Sequence, residues 1–106
     1  MKSSSGNPTA RWRLLTNHGH VLACIAADPD VRLRDIAETV GITERTALQI
    51  VNDLEQAGYL TKSRIGRRNR YEIDGARKVR APRLAAMTVG QLLGLLMQAV
   101  EQQPFA

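Results

Sequence analysis

Residues 37–60, AETVGITERTALQIVNDLEQAGYL, admit few folded arrangements. Gly41 and Gly58 each close an apolar-periodic run, and each suits the left-handed backbone position that stops a helix. Between them, Thr43 can cap a helix with Glu44 at its first position, and Ala47, Ile50, Val51 and Leu54 recur at i, i+3, i+4 and i+7. The capping box is incomplete, because Thr46 stands where Glu or Gln would reach back. The pattern predicts a helix of about 14 residues, about 21 Å long, ending at Ala57. Just upstream, Asp35 is expected to open a shorter helix with Ile36, Ala37 and Val40 inward, and Ile42 to fold back on Ala37. Small Ala37 permits close helix approach, Gly41 supplies the turn, and Ala47 with Ile50 seats the second helix across the first. That is the arrangement of a helix-turn-helix.

The rest of the longer helix then has a fixed orientation. At 100° per residue, burying Ala47, Ile50, Val51 and Leu54 turns Arg45, Gln49, Asn52 and Gln56 to the opposite side, with Thr46 on its margin and Leu48 on the flank toward the preceding helix. A merely solvated face could carry many polar residues. These can also hydrogen-bond base edges, since Arg pairs with guanine and Gln or Asn with adenine in a major groove about 12 Å wide. Arg45, Thr46 and Gln49, in the first turns, are the candidates for base reading; Asn52 is better placed for phosphate contact, and the capping Thr43 is counted with them among the DNA-binding candidates.

The following segment carries the charge. Net charge is +5, but from Thr61 to Arg83 nine basic residues face two acidic ones, a net of +7, which leaves −2 for the remainder. LTKSRI and RYEI flank GRRN and predict a β-hairpin with Tyr71 and Ile73 inward and Arg70 and Glu72 outward. Six extended residues span about 20 Å, so Arg64, Arg67, Arg68 and Arg70 can project beyond the domain toward phosphates. An arginine cluster can equally be a solvated edge that discourages strand pairing. Its position directly after a base-reading type of helix favours binding.

Before this unit, Thr16 or Asn17 can cap a first helix with Val21, Leu22, Ile25 and Ala26 on one face, ending near Pro29, and VRLR is a short extended candidate. After it, DGARKVRAPR is a basic linker (75–87). Thr88 and Gln91 then form a capping box, with Met87 and Leu92 as its hydrophobic staple, for a last helix (88–103). Val89, Leu92, Leu93, Leu96, Met97 and Val100 make an apolar face too broad for a helix lying on a small domain, so a homodimer is expected through it. The alternative is a helix folded back on its own domain. Residues 1–10 read as a disordered tail and 11–74 as the binding domain. Trp12 is read as covering the core or a partner chain. The expected fold is mainly α with a small β-hairpin: three helices, the hairpin and a C-terminal dimerisation helix.

The stretch RLRDIAETVGITERTALQIVNDLEQAGYLTKSRIGRRNRYEI resembles the winged helix-turn-helix regulators of bacteria, of the MarR and ArsR kind. IAETVGIT, LEQAGYL and the basic hairpin ending in RYEI carry the resemblance. It implies that the helix from Thr43 to Ala57 is a recognition helix and the hairpin a wing. It also implies a dimeric, cytoplasmic transcriptional regulator of double-stranded DNA. The paired-cysteine metal signature of ArsR sensors is absent from the sequence.

Other functions fit less well. No phosphate loop, paired carboxylates or nucleophile with a base stands out, so catalysis is not expected. His20, Cys24 and Asp28 share a stripe but lack a fourth ligand, so neither a metal nor another cofactor is expected. A single cysteine excludes an internal disulfide and favours a reducing compartment. No secretory apolar segment follows Met1, and the longest apolar run, LLGLLM, is far shorter than the roughly 20 residues of a membrane span. No motif names a small-molecule effector. The rival reading is a winged-helix protein-interaction module without specific DNA readout. RNA binding would call for more exposed aromatic residues than the sequence offers.

Overall fold

The order of elements follows from the stop signals. Thr16 caps α1 (Asn17–Ala27), its hydroxyl accepting the Gly19 N–H at 3.2 Å. Then come α2 (Leu33–Val40), α3 (Glu44–Gln56), β1 (Leu60–Ile65), β2 (Arg68–Ile73) and α4 (Val89–Gln102). The computed structural model describes residues 14–81, 83 and 86–102. The expected tail, Trp12 and the side chain of Val100 therefore lie outside the described residues.

Helix periodicity sets the core. Val21, Leu22 and Ile25 of α1 meet Ile36, Ala37 and Val40 of α2 and Ala47, Ile50, Val51 and Leu54 of α3. Leu60 and Tyr71 of the hairpin and Val89 and Leu93 of α4 complete it. Among the described residues, no buried side-chain polar atom lacks a partner. The turn between α2 and α3 is built as its sequence requires: Gly41 is left-handed (φ 86°), and the N–H groups of Gly41 and Ile42 both donate to Ala37 O, at 2.8 and 3.0 Å. Ile42 packs against the core.

Two local expectations change. The segment VRLR is not extended throughout: Leu33 and Arg34 already belong to α2, and Asp35 lies inside its first turn. Leu33 packs against the core, and helical geometry brings it there. The chain before α2 still lies along the hairpin, since the Tyr71 N–H donates to Pro29 O at 3.0 Å. The hairpin turn is also shorter than GRRN. Ile65 pairs with Arg68 and Arg64 with Asn69, leaving Gly66 and Arg67 as a two-residue loop. Gly66 has φ 64° and Arg67 does not have positive φ, the pattern of a type II′ turn whose twist matches the strands. Tyr71 is buried and Ile73 packs on the core, while Arg70 and Glu72 are exposed, as the alternation predicts.

The basic stretch after β2 is tied down. It runs alongside the start of α4, with Gly90 N–H donating to Gly75 O, Val89 N–H to Arg77 O and Val79 N–H to Met87 O, at 2.7 to 2.9 Å. Thr88 and Gln91 form the expected reciprocal box: Thr88 N–H donates to Gln91 Oε1 at 2.9 Å, and Gln91 N–H to Thr88 Oγ1 at 3.2 Å. A methyl group on Gly90 would stand 2.9 Å from Gly75 O, whereas one on Gly94 would meet nothing within 4 Å. Either alanine gains roughly 1 kcal/mol of helix propensity, but overpacking against backbone costs about 1 to 3. Gly90→Ala should therefore lower the urea midpoint and Gly94→Ala raise it. Equal shifts would mean that this close approach does not hold the helix.

Helix α4 turns Val89, Leu93 and Leu96 onto the chain's own core, packing against α1. Val89 and Leu93 are 3% and 7% exposed, so their assignment to a subunit contact is revised: they are already covered within one chain. Leu92 and Met97 stay half-buried, and Leu95 is 60% exposed. No described helix is long and apolar enough to cross a membrane.

Candidate nucleic-acid interface

The N-terminus of α3 is fixed by two threonines. Thr43 Oγ1 accepts the Thr46 N–H at 3.0 Å and donates its own hydrogen to Thr46 Oγ1, also at 3.0 Å. The return bond thus runs between the two hydroxyls, where the Glu or Gln of a capping box would accept the N-cap N–H. The hydroxyl of Thr43 is thus occupied within the helix, while Thr46, half-buried, keeps its own hydrogen for donation outward.

Along the helix beyond them, Arg45, Gln49, Asn52 and Gln56 are all exposed on one side, opposite buried Ala47, Ile50, Val51 and Leu54. The face offers a guanidinium and three carboxamides. Arg45 makes no ion pair among the described residues, so its guanidinium is available to a ligand. Leu48, on the flank of this face, is 41% exposed. Toward the C-terminal end, His18 Nε2 lies 2.9 Å from Asp53 Oδ2, joining α1 to α3.

Four arginines of the hairpin were expected to act together, and the structure divides them. Arg64 and Arg67 are exposed and pair with no carboxylate among the described residues. Arg68 and Arg70 turn back toward the loop between α1 and α2, where Arg68 Nη2 donates to Asp30 O at 3.0 Å and Arg70 Nε lies 3.7 Å from Asp30 Oδ1. The carboxylate offsets one of the wing's positive charges. Lys62, next along β1, is 3.9 Å from Glu55 on α3.

Sequence reasoning missed two residues that shape this surface. Asp30 is one, with no local signal beyond being acidic. Arg77 is the other: its Nε and Nη2 donate to Ala57 O, at 3.1 and 2.7 Å, capping the C-terminal end of α3. Gly58, at φ 83°, leaves the space that this guanidinium fills. One charge counted in the basic linker thus serves the recognition-type helix itself, where a cation meets the partial negative charge of the helix end. Cys24, of the His20–Cys24–Asp28 stripe, packs against the core, and burial pushes its thiol up, away from the reactive thiolate.

Comparison with known proteins agrees with this architecture. Residues 14–61 match the family of winged helix-turn-helix DNA-binding domains. No curated protein sequence matches the chain. Among solved structures, the chain is similar to the PcaV transcriptional regulator from Streptomyces coelicolor, with a TM-score of 0.53 and 26% identity over 82% of this chain and 60% of that one. The same regulator in complex with its natural ligand aligns with a TM-score of 0.50 and 20% identity over 85% of this chain and 63% of that one, a likeness of fold. The chain thus spans about 60% of the length of the regulator it matches.

Proposed function

We propose that this chain, whose residues 14–61 match the family of winged helix-turn-helix DNA-binding domains, is a transcriptional regulator that binds specific double-stranded DNA as a homodimer. The observation that carries this reading is the unobstructed row of Arg45, Gln49 and Asn52 on α3, beside a hairpin with two uncommitted arginines. Helix α3 enters the major groove, where Arg45, Thr46 and Gln49 address base edges and Thr43 and Asn52 lie toward the backbone. The wing places Arg64 and Arg67 at phosphates or the adjacent minor groove, with Arg68 and Arg70 held nearer the body.

Dimerisation falls to the part of α4 that the core does not use. Leu92, Leu95 and Met97, with Leu96 at the border, leave apolar surface that a second copy would cover. Two recognition helices about 34 Å apart would then read successive major grooves of a two-half-site operator.

Selection of bound duplexes from a random DNA library tests the reading directly, and enrichment of one motif is the expected result. On that motif, Arg45→Ala should weaken binding by about 1 to 3 kcal/mol and relax the preference at one base pair per half-site. Recovery of the same motif with the same stringency would remove Arg45 from base readout.

A further inference from the structure

Leu48 is the one feature of α3 that neither the fold nor the polar contacts above explain. It sits on the flank of the outward face, 60° around the helix from Arg45 and one turn before Asn52. It is 41% exposed and is not among the residues packed on the core. An exposed leucine by itself is ordinary on a protein surface. This one borders the face that the proposed function lowers into a major groove, on the side of Arg45 and Asn52.

We infer that Leu48 is a specificity-determining residue that recognises the 5-methyl group of a thymine, an inference that rests on the proposed DNA reading. The chemistry is selective. Among the groups on the major-groove floor, the thymine methyl is the apolar one; the others are hydrogen-bond donors and acceptors. The carboxamide next to it in sequence points to the same kind of base pair. Gln49 suits the N6 and N7 edge of adenine, and the partner of an adenine is a thymine whose methyl projects into the same groove. A leucine at the border of that face covers the methyl, removing both apolar surfaces from water. At a G·C pair the same leucine would meet the cytosine amino group and leave it without a partner, which extends the discrimination.

The test uses the full chain and the duplex it selects, with each thymine of a half-site replaced in turn by deoxyuridine. This removes only the methyl group and keeps every hydrogen bond. One thymine per half-site should be sensitive, its replacement in both half-sites weakening wild-type binding about 15-fold, from about fourfold for each buried methyl. Leu48→Ala should bind the thymine duplex more weakly by a similar factor and be indifferent to the replacement. Because Leu48 lies outside the core, the variant should keep its helical circular dichroism and its melting midpoint. Wild-type binding unaffected by deoxyuridine at every position, or a Leu48→Ala variant as sensitive as wild type, would overturn the inference while leaving DNA binding intact. Failure of the wild type to select any duplex would overturn it together with the reading beneath it.

Discussion

Raising monovalent salt from 50 to 200 mM is expected to weaken operator binding about 150-fold, a slope of log affinity against log salt near −3.6. Arg64 and Arg67 carry this value. They are exposed and without a carboxylate partner among the described residues, so the proposed dimer presents four such wing cations, each releasing about 0.9 counterion on meeting a phosphate. Counting Arg67, Arg68 and Arg70 from sequence alone would predict a slope near −5. The structure lowers the figure, because Asp30 lies beside Arg70 and its carbonyl holds Arg68 toward the body. The Arg70–Asp30 pair, half-exposed on both sides, is worth less than about 1 kcal/mol to stability. Its effect on binding is larger than that figure implies, because a guanidinium that brings a carboxylate with it neutralises little of the duplex charge. Asp30→Asn should therefore leave the melting midpoint nearly unchanged, tighten binding at low salt and steepen the slope toward −5.4, from two added contacts per dimer. Titrations over a salt series with both proteins would decide the matter. A flat wild-type slope would contradict DNA binding through the wing, and identical slopes would remove Asp30 from any role in it.

The largest loss of stability is expected from Ile36→Ala. Ile36 is fully buried in the middle of the short helix α2, in the core cluster it shares with residues of α1 and α3. Removing its side chain should cost about 2 to 5 kcal/mol, of a total that for a domain of this size is on the order of 5 to 10. Among the described residues the buried cluster is aliphatic apart from Tyr71, so the cavity has to be filled by relaxation of aliphatic neighbours packed at near-crystalline density. The loss corresponds to a fall in melting midpoint of roughly 8 to 40 °C, at about 4 to 8 °C per kcal/mol. Ile36→Val, which keeps the branched carbon, should cost only about 0.5 to 1.5 kcal/mol. Urea unfolding at one fixed protein concentration compares the two, since a dimer's apparent stability depends on concentration. A cost under about 1 kcal/mol for the alanine variant would show that α2 does not seat in the core as described.

The amino-acid sequence determined the elements whose causes are local. The inward and outward faces of α3 follow from 100° per residue, so its apolar stripe fixed the position of Arg45, Gln49 and Asn52 before any tertiary contact was known. Gly41 and the Thr88–Gln91 box act within four residues and formed as expected. The hairpin's inward Tyr71 follows from strand alternation, although its turn was read two residues too long, because Gly66 in a left-handed conformation closes a tighter loop.

Tertiary structure decided which of the exposed charges are available and which apolar faces are already covered. Arg68 reaches Asp30 across 38 positions of sequence and Arg77 reaches Ala57 across 20, and no periodicity within an element encodes such distances. The broad apolar face of α4 was equally legible as a dimer contact or as core. Val89 and Leu93 became core only because the stretch after β2 returns α4 to α1. Local geometry is fixed by the identities of near neighbours, while partnership between distant residues depends on the path of the whole chain.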